Sequence, residues 1–325
     1  MSVQPPKQMP YVRLGNSGLK VSRIILGMMS YGDSNWQLWE EGIKHVKAAY
    51  DAGIQTFDTA NVYSNGLSEV ILGKAIKQHN LPRDEIVVMT KVHHLVAREY
   101  GQILIDFKDA DSLGYVNQYG LSRKHIFDSV KKSLERLQLD CIVVLQCHRF
   151  SHDTPIEETM QALHDVVQAG YVRYIGMSSC YAYQYYAIQN RLTSFISMQN
   201  HYSLIYREEE REMFPNSEGL LTRRRGGEQS KWSETDKRLK RYDQSEAFEK
   251  IVDRAEEISK KRGISMSQVA VAWVLSRPGV TAPIVGTTKL ENLYEIVEGV
   301  HVKLTEEEIN YLEEPYVPQA IVGHV

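Results

Sequence analysis

"QTFDTANVYSNGLSE", residues 55–69, decides the fold. A short apolar run ends on Asp58, a tyrosine follows at Tyr63, and a glycine-containing turn leads into a helical pattern. A carboxylate at the end of a buried strand needs a partner, because an unpaired buried charge is very costly. The next strand-like run outward, "EIVVMTK", ends on Lys91 and has the opposite charge to offer.

The same grammar repeats along the chain. β-rich runs "RIILGM", "IQTFDT", "EIVVMTK", "CIVVLQCH", "YIGMSS", "SFISMQN" and "APIVGTT" alternate with amphipathic helical patterns, after an N-terminal hairpin that turns at "GNSG". In "SRKHIFDSVKKSLERL", Ser122 is the N-cap and Ile126, Val130, Leu134 and Leu137 share one face. Strand, helix, strand implies parallel pairing with right-handed crossovers, and strands this apolar are covered on both faces. An open doubly wound sheet and a closed (β/α)8 barrel both fit. No GxGxxG follows the first strand, which counts against a dinucleotide-binding open sheet. Asp58, Lys91, His148, Ser178, Gln199 and Gly286 each fall at the C-terminal end of a different strand. A barrel gathers such ends around one mouth, so the expected fold is the (β/α)8 barrel.

Composition sets the outer bounds. The 325 residues are 42% hydrophobic, with a formal charge of -3, which gives no global pull toward nucleic acid or membrane. No signal-like apolar region or membrane-spanning run occurs, so the expectation is a cytoplasmic single domain over 1–325, a monomer or weak oligomer. Cys141, Cys147 and Cys180 have no CxxC spacing and are expected to be buried, reduced thiols. Two long segments, 93–121 and 220–243, are expected over the barrel mouth. The second, with "RRRGG" and "KWSETDKRLKR", is read first as a solvated charged loop.

The candidate chemistry lies at Asp58, Tyr63, Lys91 and His148. Asp58 pairs Lys91; a cation beside a phenol favours the phenolate, which makes Tyr63 a candidate proton donor. His148, one strand further round, reaches the same small atom from the other side. Singly, a turn tyrosine is ordinarily a packing residue and a strand-end histidine a satisfied core group. Their convergence on three neighbouring strand ends favours a site. A metal held by Asp58, His93, His94 and His148 is the competing use, but Lys91 in their midst would repel a divalent cation, so no metal is expected.

"FDTANVYSNGLSE", "MTK", "VLQCH", "YIGMSS" and "MQNHYSLIYR", in that order, resemble the aldo-keto reductases from "YVRLGNSGLKVS" to "LTEEEINYLEEPY". The pattern is most similar to aryl-alcohol dehydrogenase-like and versiconal hemiacetal acetate reductase-like fungal and bacterial members. The resemblance implies NADPH-dependent reduction of a small-molecule aldehyde or ketone, aryl carbonyls among them, with Asp58, Tyr63, Lys91 and His148 as catalytic tetrad. It further implies that Ser178, Ser179 and Gln199 hold the nicotinamide carboxamide, Ser179 standing where Asn is commonest. Gly286, Thr288, Lys289 and Asn292 fall in the adenosine-phosphate segment. Lys289 stands where an Arg often meets the 2'-phosphate, and it keeps the charge without the planar fork. Ile296 replaces a usual Asn.

One interval breaks the pattern. Between Tyr206 and Ile251 no apolar run of strand length occurs, so seven strands are expected, with strand 7 missing or replaced by a short surrogate at Glu218–Thr222. Relative to the family pattern, about 15 to 18 residues are absent there, beyond ordinary loop variation. The alternative function is therefore a catalytically impaired, nucleotide-binding scaffold or regulatory relative.

Overall fold

The computed structural model describes residues 9–32, 39–100, 102, 110–178, 182–211 and 246–320. Strands β1 (Tyr11–Arg13) and β2 (Lys20–Ser22) form the antiparallel N-terminal hairpin. Its turn uses Gly15 at φ +56°, where a Cβ would collide with the Ile196 carbonyl oxygen.

Seven parallel strands follow: β3 (Ile25–Gly27), β4 (Thr56–Asp58), β5 (Val87–Val92), β6 (Ile142–Cys147), β7 (Val172–Ser178), β8 (Phe195–Gln199) and β9 (Ile284–Val285). They pair in the order β8-β7-β6-β5-β4-β3-β9. Each of the seven apolar runs in the sequence has become a strand. Helices α1 (Trp39–Asp51), α2 (Leu67–Gln78), α3 (Arg123–Leu137), α4 (Ile156–Gln168) and α5 (Ala182–Gln189) supply the crossovers from β3 to β8. Helices α6 (Glu246–Arg262) and α7 (Met266–Ser276) precede β9, and α8 (Leu290–Gly299) and α9 (Glu306–Glu313) follow it. Ser122 caps α3 as its sequence predicts, accepting from the His125 N–H, and Ile126, Val130 and Leu137 are buried.

Side chains alternate between two cores. Leu26, Phe57, Val88, Leu145 and Ile175 face outward into a layer shared with the helices, including Val46, Ile71, Ile126 and Leu163. Ile25, Val87, Met89 and Val144 face inward near the N-terminal ends of the strands, where Leu14 and Val21 of the hairpin close over them. Ile196 of β8 and Ile284 of β9 pack on that same inner cluster although they lie on the two edge strands. The sheet is therefore curled, in the manner of a (β/α)8 barrel. A third cluster joins Tyr202, Ile205 and Tyr206 to α6 and α7, with Tyr202 stacked on Trp273 at 5.4 Å between ring centroids.

Among the described residues no strand joins β8 to β9. The surrogate expected at Glu218–Thr222, the basic segment 220–243, Ser179 and Cys180 lie outside the described residues. Cys141 and Cys147 are both buried. No described helix is long and apolar enough to cross a membrane.

Candidate active site

The C-terminal ends of the strands bring the sequence candidates together. Asp58 ends β4 and Lys91 lies one residue before the end of β5, on paired parallel strands. Both side chains are almost fully buried, at 2% and 1% exposure, and Lys91 Nζ donates to Asp58 Oδ2 at 2.5 Å. Lys91 Nζ also donates to the Thr59 carbonyl at 2.9 Å. Burial alone would lower the ammonium's pKa, but the Asp58 carboxylate and the Tyr63 hydroxyl more than offset it and hold Lys91 above its usual value. The lysine is a fixed cation.

Tyr63 lies above this pair, with Lys91 Nζ 5.0 Å from its ring centroid. The turn that presents it is unusual. Ser64, Asn65 and Gly66 all have positive φ, at 49°, 52° and 94°, a run that only short polar residues and glycine adopt readily. Ser64 Oγ secures the turn by donating to the Tyr31 carbonyl at 2.9 Å. On the other side, His148 follows β6 and meets Tyr63 edge-on, 5.8 Å between centroids. Burial, reinforced by His94 and Lys91, pushes the His148 pKa well down, so its imidazole is neutral at physiological pH. A neutral imidazole carries one N–H donor, and His148 Nδ1 is buried without a partner among the described residues.

His93 and His94 complete one wall. Their rings lie 4.9 Å apart, and His94 lies 4.8 Å from His148. Burial pushes His93 down to about 4 and His94 to about 3. Among the described residues no group of His, Cys, Asp or Glu is placed to hold a metal ion.

Ser178 ends β7 and Gln199 ends β8, and the two stand opposite each other in register. Gln199 Oε1 is buried with no hydrogen-bond partner among the described residues. Gly286 and Thr288 follow β9, and Lys289 is the exposed N-cap of α8 with no side-chain cap bond. Thr287 Oγ1 accepts from the Lys289 N–H at 3.2 Å and donates to the Lys289 carbonyl at 2.9 Å, which fixes the turn before that helix. Asn292 lies in the first turn of α8, and Ile296 is buried on its inner face. A carboxamide-sized group opposite Ser178 and Gln199 and a phosphate at the α8 N-terminus both fit these donors.

Sequence reading missed Gln146. It is fully buried in β6, in register with Lys91, and its Nε2 donates to Asp58 Oδ1 at 2.9 Å. An amide two residues before His148 in an otherwise apolar run was the available signal. It also missed Asn61, whose Nδ2 donates to Ser129 Oγ at 3.1 Å beneath the mouth.

A curled parallel sheet with a lysine–carboxylate pair, a tyrosine and a neutral histidine at its C-terminal mouth defines an oxidoreductase of the barrel type, and the chain belongs to the aldo/keto reductase family, whose model matches residues 23–316. It is 45% identical to versiconal hemiacetal acetate reductase of Aspergillus parasiticus, over 96% of this chain and 98% of that protein. It is 44% identical to an aryl-alcohol dehydrogenase-like protein of Schizosaccharomyces pombe, over 97% of this chain and 98% of that one. An aldo-keto reductase of Fusarium vanettenii is also 44% identical, over 97% of this chain and 93% of its own. The Aspergillus alignment runs over 345 positions, more than the 325 residues present here, so that relative carries residues with no counterpart in this chain.

Proposed function

We propose that this protein reduces an aldehyde or ketone with NADPH, and that Tyr63 is the proton donor. One observation carries the proposal: a buried lysine, locked to Asp58, lies beneath the ring of the only tyrosine that the turn after β4 presents. When bound, NADPH supplies the hydride for the carbonyl carbon. Tyr63 gives its hydroxyl proton to the carbonyl oxygen, and the Lys91 ammonium stabilises the tyrosinate that remains. Neutral His148 donates a hydrogen bond to the same oxygen and so orients the carbonyl. Asp58 takes no direct part; it holds the lysine.

Ser178 and Gln199, with Ser179 next to Ser178 in sequence, would hold the nicotinamide carboxamide. Gly286, Thr288, Lys289 and Asn292 would receive the adenosine-phosphate end, with the Lys289 charge favouring a 2'-phosphate. The aromatic character of the His93, His94 and His148 wall suits a flat substrate, which agrees with aryl aldehydes. The reading takes the chain as one cytoplasmic domain, a monomer or weak oligomer.

A second reading, a relative that binds nucleotide without turnover, is favoured by the absence of a described strand between β8 and β9. Fluorescence titration with NADPH followed by turnover of 4-nitrobenzaldehyde separates the two. Binding with turnover supports the reductase; binding without turnover of any aldehyde supports the second reading.

A further inference from the structure

Asn65 lies two residues beyond Tyr63, in the left-handed turn, and its side chain leaves that turn for the segment that runs from β5 to α3. Asn65 Oδ1 accepts from the Ala97 N–H at 3.2 Å. Its amide nitrogen faces the carbonyls of Glu99 at 3.2 Å, Tyr100 at 3.1 Å and Gln102. One primary amide has two N–H donors and one carbonyl acceptor, so Ala97, Glu99, Tyr100 and Gln102 wrap around a single side chain, the three carbonyls sharing its two N–H groups. Tyr115, later in the same segment, closes the wrap. Its hydroxyl accepts from the Arg98 N–H at 3.1 Å and donates to Gln102 Oε1 at 3.3 Å, and the Arg98 guanidinium lies 4.5 Å over its ring. The opposite end of the segment returns through Gly120, whose N–H donates to the His93 carbonyl at 2.7 Å.

We propose that Asn65 is a positioning residue for substrate, tying Ala97, Glu99, Tyr100 and Gln102 to the turn that carries Tyr63. The tied segment begins at His93 and His94, which form one wall of the cleft, so that wall and the turn carrying the proton donor are held together, and a substrate held against the wall presents its carbonyl to Tyr63 in a fixed place. This rests on the reductase reading of the site. The left-handed backbone at Asn65 makes the proposal separable from folding, since glycine adopts φ near 52° without strain while removing every side-chain bond.

The test compares Asn65→Gly and Asn65→Asp with the parent chain, using 4-nitrobenzaldehyde and NADPH. Asn65→Gly is expected to raise KM for the aldehyde about tenfold while kcat and the NADPH Kd change less than about twofold, because a loosened wall weakens ground and transition states alike. Hydrogen exchange at the Ala97 and Arg98 amides should accelerate in the same variant. Asn65→Asp keeps the acceptor for Ala97 but turns a carboxylate toward three carbonyl oxygens, so its KM should rise at least as far. Unchanged KM and exchange in Asn65→Gly would overturn the proposal, as would kcat and NADPH affinity falling together with stability. If the parent chain reduces no aldehyde, the reductase reading fails, and the exchange measurement still decides whether Asn65 holds the segment.

Discussion

Gln146 and Lys91 divide the Asp58 carboxylate between them, the amide on Oδ1 at 2.9 Å and the ammonium on Oδ2 at 2.5 Å. Each oxygen is satisfied from a different strand, so the carboxylate cannot rotate without losing a buried bond. Asp58→Asn is expected to cost about 3 to 5 kcal/mol of stability, because it strands a buried ammonium. Gln146→Leu is expected to cost about 1 to 3 kcal/mol, the penalty of one unsatisfied buried acceptor. Urea unfolding of both variants checks the order, and a Gln146→Leu protein as stable as the parent would show that the amide bond contributes nothing.

Tyr63→Phe removes the hydroxyl and keeps the ring against Lys91 and His148. Aldehyde reduction should fall by about two to four orders of magnitude, while the NADPH Kd stays nearly constant, because a lost proton donor affects chemistry rather than cofactor binding. Steady-state kinetics beside fluorescence titration measure both, and an active Tyr63→Phe protein would sink the assignment.

The histidines at the mouth make stability fall in acid. His93 and His94 have folded-state values of about 4 and about 3 against an ordinary 6.5, and His148 is also pushed well down. Below about pH 6.5 the unfolded chain takes up protons that the folded chain refuses, so their contribution is complete above that pH and declines toward about pH 4. Each histidine contributes at most about 1.4 kcal/mol per pH unit in that window. Lys91, with its raised value, acts in the opposite sense and loses its contribution only at alkaline pH. Urea midpoints at pH 7 and pH 5 should differ clearly, and His94→Phe should reduce the difference. The same slope in that variant would exclude His94 as a source.

Lys289→Glu places a like charge where the 2'-phosphate is assigned, at the N-cap of α8. NADPH should weaken by about 1.5 to 3 kcal/mol more than NADH. Equal losses for the two cofactors would reject the phosphate assignment.

Most of the architecture was legible because burial on both faces of a parallel strand leaves an unbroken apolar run, and all seven runs became strands. The lysine–carboxylate pair was legible for a related reason: charges in such runs, as at Asp58 and Lys91, must find each other. Gln146 was not, since an uncharged amide in "VVLQCH" raises no comparable electrostatic alarm. Asn65 was hidden differently. Its partners are backbone carbonyls, which every sequence contains, and its left-handed φ is as common a use of asparagine as the bonds its side chain makes.

Inserting a family-like segment after Pro215 should raise both thermal stability and NADPH affinity, the latter by a hundredfold or more if the inserted residues add about 3 kcal/mol of cofactor contacts. Tight NADPH binding and ordinary turnover by the chain as it stands would show that this segment is dispensable.

The hairpin at the floor then takes on a second task. In a complete barrel, ladder hydrogen bonds hold every strand to the next, and a bottom plug is only packing. Here the plug touches both edge strands of the described sheet, through Ile196 and Ile284, and Gly15 presses directly on the backbone of β8. Arg23, just after β2, donates to the Leu275 and Val280 carbonyls ahead of β9. The N-terminal hairpin is thus a clasp across the two edge strands. Trimming it should spread the staves, and the damage would be felt at the far rim, where Ser178 and Gln199 would lose their common alignment with the α8 entrance.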